Sequence, residues 1–427
     1  MSNVVILLGV LAVCLLIGVP VSYSIGIACM CYLWRVDTPM IILIQRITSG
    51  ATSFTMLALP MFVFSGILMA YGCTPRLIRF AEMLLRKVPG GLGSAAMLAC
   101  GFFGAVSGSG VASTAAIGSI CGPAMLNKGY RKGLTAGLLA AGGAMASLIP
   151  PSINMVVYAS ASSASIGDLF IAGIVPGVLT IIGLTALNIV VAKRDGIDKE
   201  VYHYSREEKI RISIDAILPL FTPVIVVVAV LAGIFTATEA SVVACVYAFI
   251  LVRFVYKELN FKNFIQAIID TTITASSILF IIAAATPFGW ILAVENVPQS
   301  FASWMLSFTN SKFIIFLLIY LLLIIEGCFM ETLSIIILMT PLLLPIANGL
   351  GMNTVHFGIA MLMNLAVGGC TPPLSVCLFT SCRILKMRID EAFPDMWWVL
   401  IVVAVVAAIT MAVPDLSLGL LKLFGKI

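Results

Sequence analysis

Two short segments of this sequence combine small polar residues with a pair of adjacent prolines in apolar surroundings. The first pair is Pro150-Pro151, within residues 146–154, and the second is Pro372-Pro373, within residues 368–375. Because proline lacks a backbone N–H and its ring clashes with the preceding turn, a helix cannot continue through either pair. A break at membrane depth frees backbone carbonyl and N–H groups, and such breaks occur where they line a cavity or bind a ligand.

A second landmark repeats at the same distance along the chain. Pro123 precedes the first proline pair and Pro345 precedes the second, and both landmarks share one offset (372 − 150 = 345 − 123 = 222). Two unrelated proline kinks would not be expected to share an offset. Interrupted apolar segments at matching places in two halves of a chain are typical of secondary transporters with internal repeats.

Each proline pair follows a segment that we interpret as a re-entrant helical hairpin. The first hairpin spans about residues 100–126, where Gly108 and Gly110 permit a tight reversal, and its tip is expected at Ser107–Ser113. The second hairpin is expected at about residues 327–349. The proline-broken helices themselves are expected at about residues 133–163 and 355–383.

Helix ends inside a membrane can bind ions of either sign. A helix that starts there directs N–H groups and the positive end of its dipole at the cavity, which favours a carboxylate, whereas free carbonyls and helix C-termini suit a bare cation such as Na⁺. We therefore expect two or more Na⁺ sites beside one anionic-substrate site. The candidate Na⁺ ligands are Ser107, Ser109, Gly110, Ser147 and Pro150 for the first site, and Gly327, Met330, Thr332, Gly369, Thr371 and Pro372 for the second. The candidate substrate contacts are Ser113, Thr114, Asn154, Glu331, Ser334 and Ser375. For any single hydroxyl, a bond back to its own helix is an equally good interpretation.

Four glutamates lie in or beside apolar runs, where carboxylates are costly and usually functional. Glu331 is at the expected second tip and is the best candidate, whereas Glu239 is better explained as a helix cap. The roles of Glu295 and Glu326 stay open. The two histidines, His203 in a charged linker and His356 in an expected loop, are interpreted as structural or solvated.

Composition places the chain in the membrane. Of its 427 residues, 61% are hydrophobic and 10% are charged, whereas a soluble domain is about half apolar and about a quarter charged. Apolar runs near 20 residues indicate helices and exclude a β-barrel. Residues 3–20 are interpreted as a retained helix and the 11 scattered cysteines as packing residues. No metalloprotease, serine-hydrolase or phosphate-loop signature occurs, and no basic patch with interleaved aromatics suggests nucleic-acid binding.

The expected architecture is an all-α integral membrane protein with two inverted repeats. The first repeat is residues 1–192, a charged cytoplasmic linker follows at 193–213, and the second repeat is 214–427, ending in a helix at about 396–413. Within the second repeat, an amphipathic piece at 259–268 is expected to be separate from a span at 271–293.

Several motifs are similar to those of the large membrane subunit of TRAP (tripartite ATP-independent periplasmic) transporters. In the first half these are the Gly- and Ser-rich run 108–120, Leu148–Ile153, and Ser165–Gly177. In the second half they are Gly233–Ala240, where Ala237 stands in place of an expected proline, Gly327–Glu331 with Thr340, Pro341 and Pro345, His356–Gly358, and Asn364–Ala366 with Thr371, Pro372 and Pro373.

The resemblance implies an elevator-type, Na⁺-coupled importer of the bacterial inner membrane. Its substrate would be an organic acid, such as a C4-dicarboxylate, a sialic acid or another sugar acid. Its partners would be a small four-helix membrane subunit as a separate chain and a periplasmic substrate-binding protein, with membrane lipids around it. The alternatives are a stand-alone Na⁺/carboxylate symporter of similar architecture and, less in keeping with the sequence, an intramembrane enzyme or scaffold.

Overall fold

The computed structural model describes residues 2–52, 54–197, 204–308, 311–372 and 375–426. Throughout those ranges the regular structure is helical and contains no β-strand, which confirms the predicted all-α class. Six helices are long and apolar enough to cross a membrane, or seven if one bent pair counts as a single span. His203, Pro373 and the middle of the predicted linker lie outside the described residues.

In the first half, the described residues form ten α-helices. They are α1 Ser2–Leu16, α2 Val21–Arg35, α3 Ile41–Ala51, α4 Ala58–Gly72, α5 Thr74–Leu85, α6 Gly91–Ser107, α7 Gly110–Asn127, α8 Lys132–Ala146, α9 Ile153–Ser162 and α10 Ile166–Arg194. Helices α4 and α5 meet at a bend of 68°. The left-handed conformation of Gly108 (φ 65°) ends α6 and lets α7 reverse direction.

The part of the second half that the structure describes also contains ten α-helices. They are α11 Arg206–Leu231, α12 Ala237–Ile250, α13 Phe261–Val294, α14 Val297–Phe308, α15 Lys312–Gly327, α16 Thr332–Gly349, α17 Thr354–Gly368, α18 Val376–Ile384, α19 Ile389–Ala412 and α20 Asp415–Leu423. A π-helical turn at Leu251–Val255 extends α12.

The interrupted helices pack across the two halves. Helix α7 contacts α18, and α16 makes the corresponding contact with α9. Helices α8 and α19 are also neighbours, as are α10 and α17. Beside this core, α13 packs on α2, α3 and α4, while α4 packs on α12. The interrupted helices therefore form an intertwined core, with α4 and α13 lying beside it.

Several predicted boundaries differ from the structure. Residues 261–268 of the first predicted segment and residues 271–293 of the second belong to the single helix α13, because neither Ile269 nor Asp270 between them interrupts a helix. The hairpin arms begin earlier than predicted, at Gly91 and Lys312, since small and aliphatic residues extend each arm outward. The last long helix likewise begins at Ile389, because Asp390 and Glu391 suit the first turn of a helix.

Two further corrections concern the linker and the chain's end. Residues 206–213 of the predicted linker are the start of α11, where Ser205 and Glu208 form a reciprocal capping box. His356 is not in a loop: it lies in the first turn of α17, is buried, and its Nδ1 is 2.7 Å from Ser417 Oγ of α20. Helix α20 was not predicted from the sequence; it packs mainly on α10 and also contacts α17.

Candidate functional site

A cavity of about 910 Å³ lies where four interruptions of the chain meet. We name them tip 1 (residues 108–109), break 1 (147–152), tip 2 (328–331) and break 2 (the described residues 369–372 and 375). Helices α4 and α13 supply the rest of the wall. The interruptions predicted from the glycines and proline pairs thus surround one space.

Helix ends of both polarities face this cavity. Four helices begin at it, and their first-turn lining residues are Gly110, Val111 and Ala112 of α7, Ile153 and Asn154 of α9, Thr332 and Leu333 of α16, and Val376 and Cys377 of α18. Four helices end at it, and the lining residues there are Ser107 of α6, Ala144 and Ser147 at the end of α8, Gly327 of α15, and Ala366 and Gly369 at the end of α17. The cavity therefore offers partial positive charge for an anion and carbonyl oxygens for a cation.

Tip 1 is held against break 1 by backbone contacts. The Ile153 N–H donates to the Gly108 carbonyl at 3.3 Å, which joins the two interruptions directly. One turn away, α7 crosses α8 so closely that a β-carbon on Gly143 would lie 1.9 Å from Thr114 Oγ1 and 2.9 Å from the Gly110 carbonyl oxygen. Only glycine permits this approach of two backbones.

Tip 2 and break 2 meet through a comparable pair of glycines. A β-carbon on Gly368 would lie 2.5 Å from the Gly327 Cα, and one on Gly327 would lie 2.9 Å from the Gly368 Cα. The ends of α15 and α17 are therefore in backbone contact, which brings their C-terminal carbonyls together at the cavity.

One serine closes each break in the same way. Ser152 caps α9 by accepting from the Met155 N–H, and its own hydroxyl donates to the Ser147 carbonyl. Ser375 caps α18 by accepting from the Leu378 N–H, and its hydroxyl donates to the Gly369 carbonyl. Each hydroxyl thus connects the start of one half-helix to a carbonyl at the end of the other.

The structure brings most of the predicted site residues to the cavity. Those that line it are Ser107, Ser109, Gly110, Ser147, Asn154, Gly327, Met330, Glu331, Thr332 and Gly369. Those that do not are Ser113, Thr114, Pro150, Ser334, Thr371, Pro372 and Ser375.

Several residues in the second group bond to backbone carbonyls instead. The Ser113 hydroxyl donates to the Ser109 carbonyl at 2.8 Å, and that of Thr114 to the Gly110 carbonyl at 3.0 Å. Thr371 Oγ1 donates to the Val367 carbonyl at 2.6 Å. This bonding within the helix, or at its end, is the alternative considered for hydroxyls in the sequence. Ser334 is buried outside the cavity lining.

The charged groups of the cavity are acidic. Among the described residues that line it, Asp270 and Glu331 are the charged side chains, and no Lys, Arg or His is present. No group of three or more His, Cys, Asp and Glu residues that could hold a metal ion occurs in the described part of the chain. A cation here would therefore be held mainly by carbonyl and hydroxyl oxygens.

Four polar wall residues were missed by the sequence reasoning: Tyr71 of α4, and Asp270, Thr274 and Ser277 of α13. The residues of α13 recur at intervals of four and three, so they share one helical face. Asp270, a carboxylate within an apolar run, was the sequence feature that could have identified this face. The prediction instead divided the run at this point into two segments.

The remaining acids have other surroundings. Glu239 completes a capping box with Thr236, whose N–H donates to Glu239 Oε2 at 2.7 Å, so its interpretation as a cap is confirmed. Glu295 accepts a hydrogen bond of 2.5 Å from the Tyr32 hydroxyl. Glu326 lies in the last turn of α15, and its Oε2 is buried without a partner among the described residues.

Comparison with known families decides the identity of this architecture. Residues 8–416 match the family described as "Tripartite ATP-independent periplasmic transporter, DctM component". The chain belongs to this TRAP transporter family. It is therefore a multi-pass transport protein of the inner membrane and not an enzyme.

Individual TRAP proteins are similar to nearly the whole chain. The C4-dicarboxylate TRAP transporter large permease DctM of Rhodobacter capsulatus is 35% identical, over 99% of this chain and 100% of that protein. The sialic acid TRAP transporter large permease SiaM of Vibrio cholerae is 34% identical, over 94% of this chain and 96% of that protein. The isethionate TRAP transporter permease DctMQ of Oleidesulfovibrio alaskensis is 37% identical over 97% of this chain, but the chain spans only 65% of that protein.

Solved structures with a similar fold are also transporters. The YdaH transporter of Alcanivorax borkumensis aligns with a TM-score of 0.59 at 14% identity, over 90% of this chain and 88% of that one. The antimetabolite efflux protein MtrF of Neisseria gonorrhoeae aligns with a TM-score of 0.56 at 15% identity, over 87% and 83%. At this identity the likeness concerns the fold alone.

Proposed function

We propose that this TRAP large permease subunit carries out Na⁺-coupled uptake of an organic acid by an elevator mechanism. The observation that carries the proposal is the convergence of four helix starts and four helix ends on one cavity. Because the two kinds of helix end attract ions of opposite sign, the cavity suits a cation and an anion together.

The proposed Na⁺ sites lie between each tip and its adjoining break. At the first, carbonyls at the ends of α6 and α8 adjoin Ser107 and Ser147, and at the second the ends of α15 and α17 meet at Gly327. Neutral oxygens at a helix C-terminus suit Na⁺, a hard monovalent cation. We propose that the predicted ligands that line the cavity serve these two sites.

The proposed substrate is an acid held at the helix starts. The N–H groups at the starts of α7, α9, α16 and α18 are the anion-binding groups available, since basic side chains are absent from the described lining. The named relatives transport isethionate, C4-dicarboxylates and sialic acid, which all carry an acidic group. This shared acidic group supports an organic acid as the substrate of this chain but does not favour one of the three classes over the others.

The proposed internal repeats are supported by the first and last residues of matching helices, which have the same offset along the chain as the matching prolines. Helix α7 spans residues 110–127 and α16 spans 332–349, while α8 spans 132–146 and α17 spans 354–368. All four differences equal 222 (332 − 110, 349 − 127, 354 − 132 and 368 − 146). We infer two inverted repeats whose interrupted helices move as one body past α4 and α13.

The proposed assembly follows the resemblance to TRAP systems. A small four-helix membrane subunit, as a separate chain, and a periplasmic binding protein would complete the transporter, with lipid around the apolar exterior. The alternative is a stand-alone Na⁺/carboxylate symporter. Uptake by proteoliposomes that contain this chain alone would favour the alternative, whereas uptake that requires both partners supports a tripartite system.

Substitution of the cation tests the coupling. Proteoliposomes that contain the complete assembly should accumulate a radiolabelled acid, chosen as a ligand of the cognate binding protein, only when an inward Na⁺ gradient is imposed. Replacing external Na⁺ by K⁺ or choline should abolish accumulation. Unchanged accumulation in K⁺ would contradict Na⁺ coupling and with it the assignment of both cation sites.

A further inference from the structure

Helix α13 presents a polar stripe to the cavity. Asp270, Thr274 and Ser277 line the space, and Gln266, one turn before them, donates a hydrogen bond of 2.8 Å from Nε2 to Asp270 Oδ1. The rest of this 34-residue helix is mainly apolar. Because a carboxylate within a membrane-spanning helix is costly and usually functional, the presence of Asp270 in this candidate span requires an explanation.

The two cavity acids differ in how their charge is compensated. Glu331 precedes α16 in the N-cap position, where the positive end of the helix dipole stabilises a carboxylate. Asp270 is the tenth residue of α13, far from either helix end, and in the described part of the chain its hydrogen-bond partner is a neutral amide. Of the two acidic side chains in the cavity lining, Asp270 is therefore the one whose negative charge is not stabilised by a nearby helix start.

We propose that Asp270 is a specificity-determining residue that binds a cationic group of the substrate, so that the transported acid is a zwitterion bearing an ammonium group. The inference rests on the proposed function, in which helix starts hold the acidic group of the same molecule. An ammonium group would donate to the Asp270 carboxylate and to the hydroxyl oxygen of Thr274, which lies one helical turn further along the same face. A dicarboxylate would instead place its second carboxylate beside Asp270, and a hydroxy acid would place a neutral hydroxyl there.

Two pairs of small acids test this recognition because the members of each pair differ mainly in an ammonium group. Aspartate is succinate with an amino group, and taurine has an ammonium group where isethionate has a hydroxyl. The melting temperature of the full-length chain in lipid nanodiscs would be titrated with each acid in Na⁺ buffer. We expect the amino member of at least one pair to give half-maximal stabilisation at a concentration about tenfold lower than the other member. A tenfold difference corresponds to the free energy of about one charge-assisted hydrogen bond.

Variants assign the difference to this carboxylate. Asp270→Asn should remove the preference for the amino member, and Asp270→Glu should keep part of it. Asp215→Asn, which removes a carboxylate from α11 outside the cavity, is the matched control and should leave the preference intact. Melting temperatures without ligand would show that each variant folds.

Three results would overturn the inference. One is an equal, Na⁺-dependent response to both members of each pair, which would leave the proposed function standing. Another is that Asp270→Asn is stabilised by neither member of a pair, which would indicate that Asp270 binds Na⁺ and not an ammonium group of the substrate. The third is no response to any of the four acids, with the proposed function then judged by the uptake experiment alone.

Discussion

Glycines determine how closely the interrupted helices approach one another. At the second interruption Gly327 and Gly368 place two backbones in contact, and at the first Gly110 and Gly143 do the same. The ends of four helices can share one cavity because these crossings are so close. A side chain at either crossing would separate carbonyl oxygens that we assign to one ion.

Gly368→Ala tests this requirement. The added β-carbon would lie 2.5 Å from the Gly327 Cα, and because backbone cannot rotate away, α15 and α17 must separate. We expect a loss of about 1–3 kcal/mol of stability, as for other overpacked cores, together with a higher Na⁺ concentration for half-maximal uptake. Gly26→Ala is the control, since a β-carbon on Gly26 meets nothing within 4 Å. Equal melting temperatures for the two variants would contradict the close approach.

The residues that sequence could identify are those whose local chemistry interrupts a helix. Gly108 and Pro150 locate tip 1 and break 1 because a left-handed turn or a missing N–H acts where it occurs. Asp270 has no such local effect, since its helix continues unchanged through it. Its importance depends on which face α13 turns toward α4, and that depends on packing between distant segments.

At the scale of the element, each break is a short connection closed by a serine hydroxyl. Ser152 and Ser375 combine two roles, as helix cap and as donor to a carbonyl across the break. Sequence placed Ser375 among the substrate contacts because it follows the second proline pair. It could not show the bond from the Ser375 hydroxyl to the Gly369 carbonyl, because that bond joins residues six apart and depends on how the backbone folds.

Replacing these serines removes both roles at once, and comparison with a serine that only caps a helix separates them. Ser152→Ala and Ser375→Ala should each cost about 1 kcal/mol for the lost cap and should also raise the Na⁺ concentration for half-maximal uptake, because a carbonyl at the break loses its donor. Ser165→Ala is the matched control: Ser165 caps α10 through the Asp168 N–H and lies outside the cavity lining. Thermal melting and Na⁺ titration of uptake would be compared. A similar change in Na⁺ dependence for Ser165→Ala would count against a specific role of the breaks.

At the scale of the whole molecule, Arg131 joins the two halves of the chain. Arg131 precedes α8, its Nε donates to Asp195 Oδ2 at 2.9 Å, and its Nη1 donates to Asp395 of α19. Because the Arg131 side chain is 46% exposed, solvent screens both pairs, and we expect Arg131→Gln to cost no more than about 1 kcal/mol.

Salt dependence checks this ion-pair role. The difference in melting temperature between wild type and Arg131→Gln should shrink as choline chloride is raised, because exposed pairs are screened. Arg388→Gln is the control, since the ion-pair partner of Arg388 among the described residues is Asp390 at the start of α19, and both side chains are largely exposed. A difference that persists in high salt would point to packing by the arginine rather than to its charge.

The boundary between α4 and tip 1 is where the elevator proposal can be tested most directly. Gly66 of α4 lies against the backbone at the end of α6: a β-carbon there would be 2.8 Å from the Ser107 carbonyl oxygen and 2.9 Å from its Cα. If the interrupted helices move past α4, this crossing must be remade in every cycle, and an obstruction will slow the movement. We therefore expect Gly66→Ala to lower the maximal rate of uptake at least several-fold.

The effect on rate should exceed the effect on folding. Overpacking at one position is expected to cost about 1–3 kcal/mol, which leaves a folded population whose uptake can be normalised to the protein present. Gly26→Ala in α2, away from this boundary, should leave the rate unchanged and should not lower the melting temperature, because alanine is the better residue inside a helix. A Gly66→Ala variant that is destabilised yet transports at the wild-type rate per folded molecule would contradict movement across this contact, because an obstruction at a sliding boundary must act on the rate.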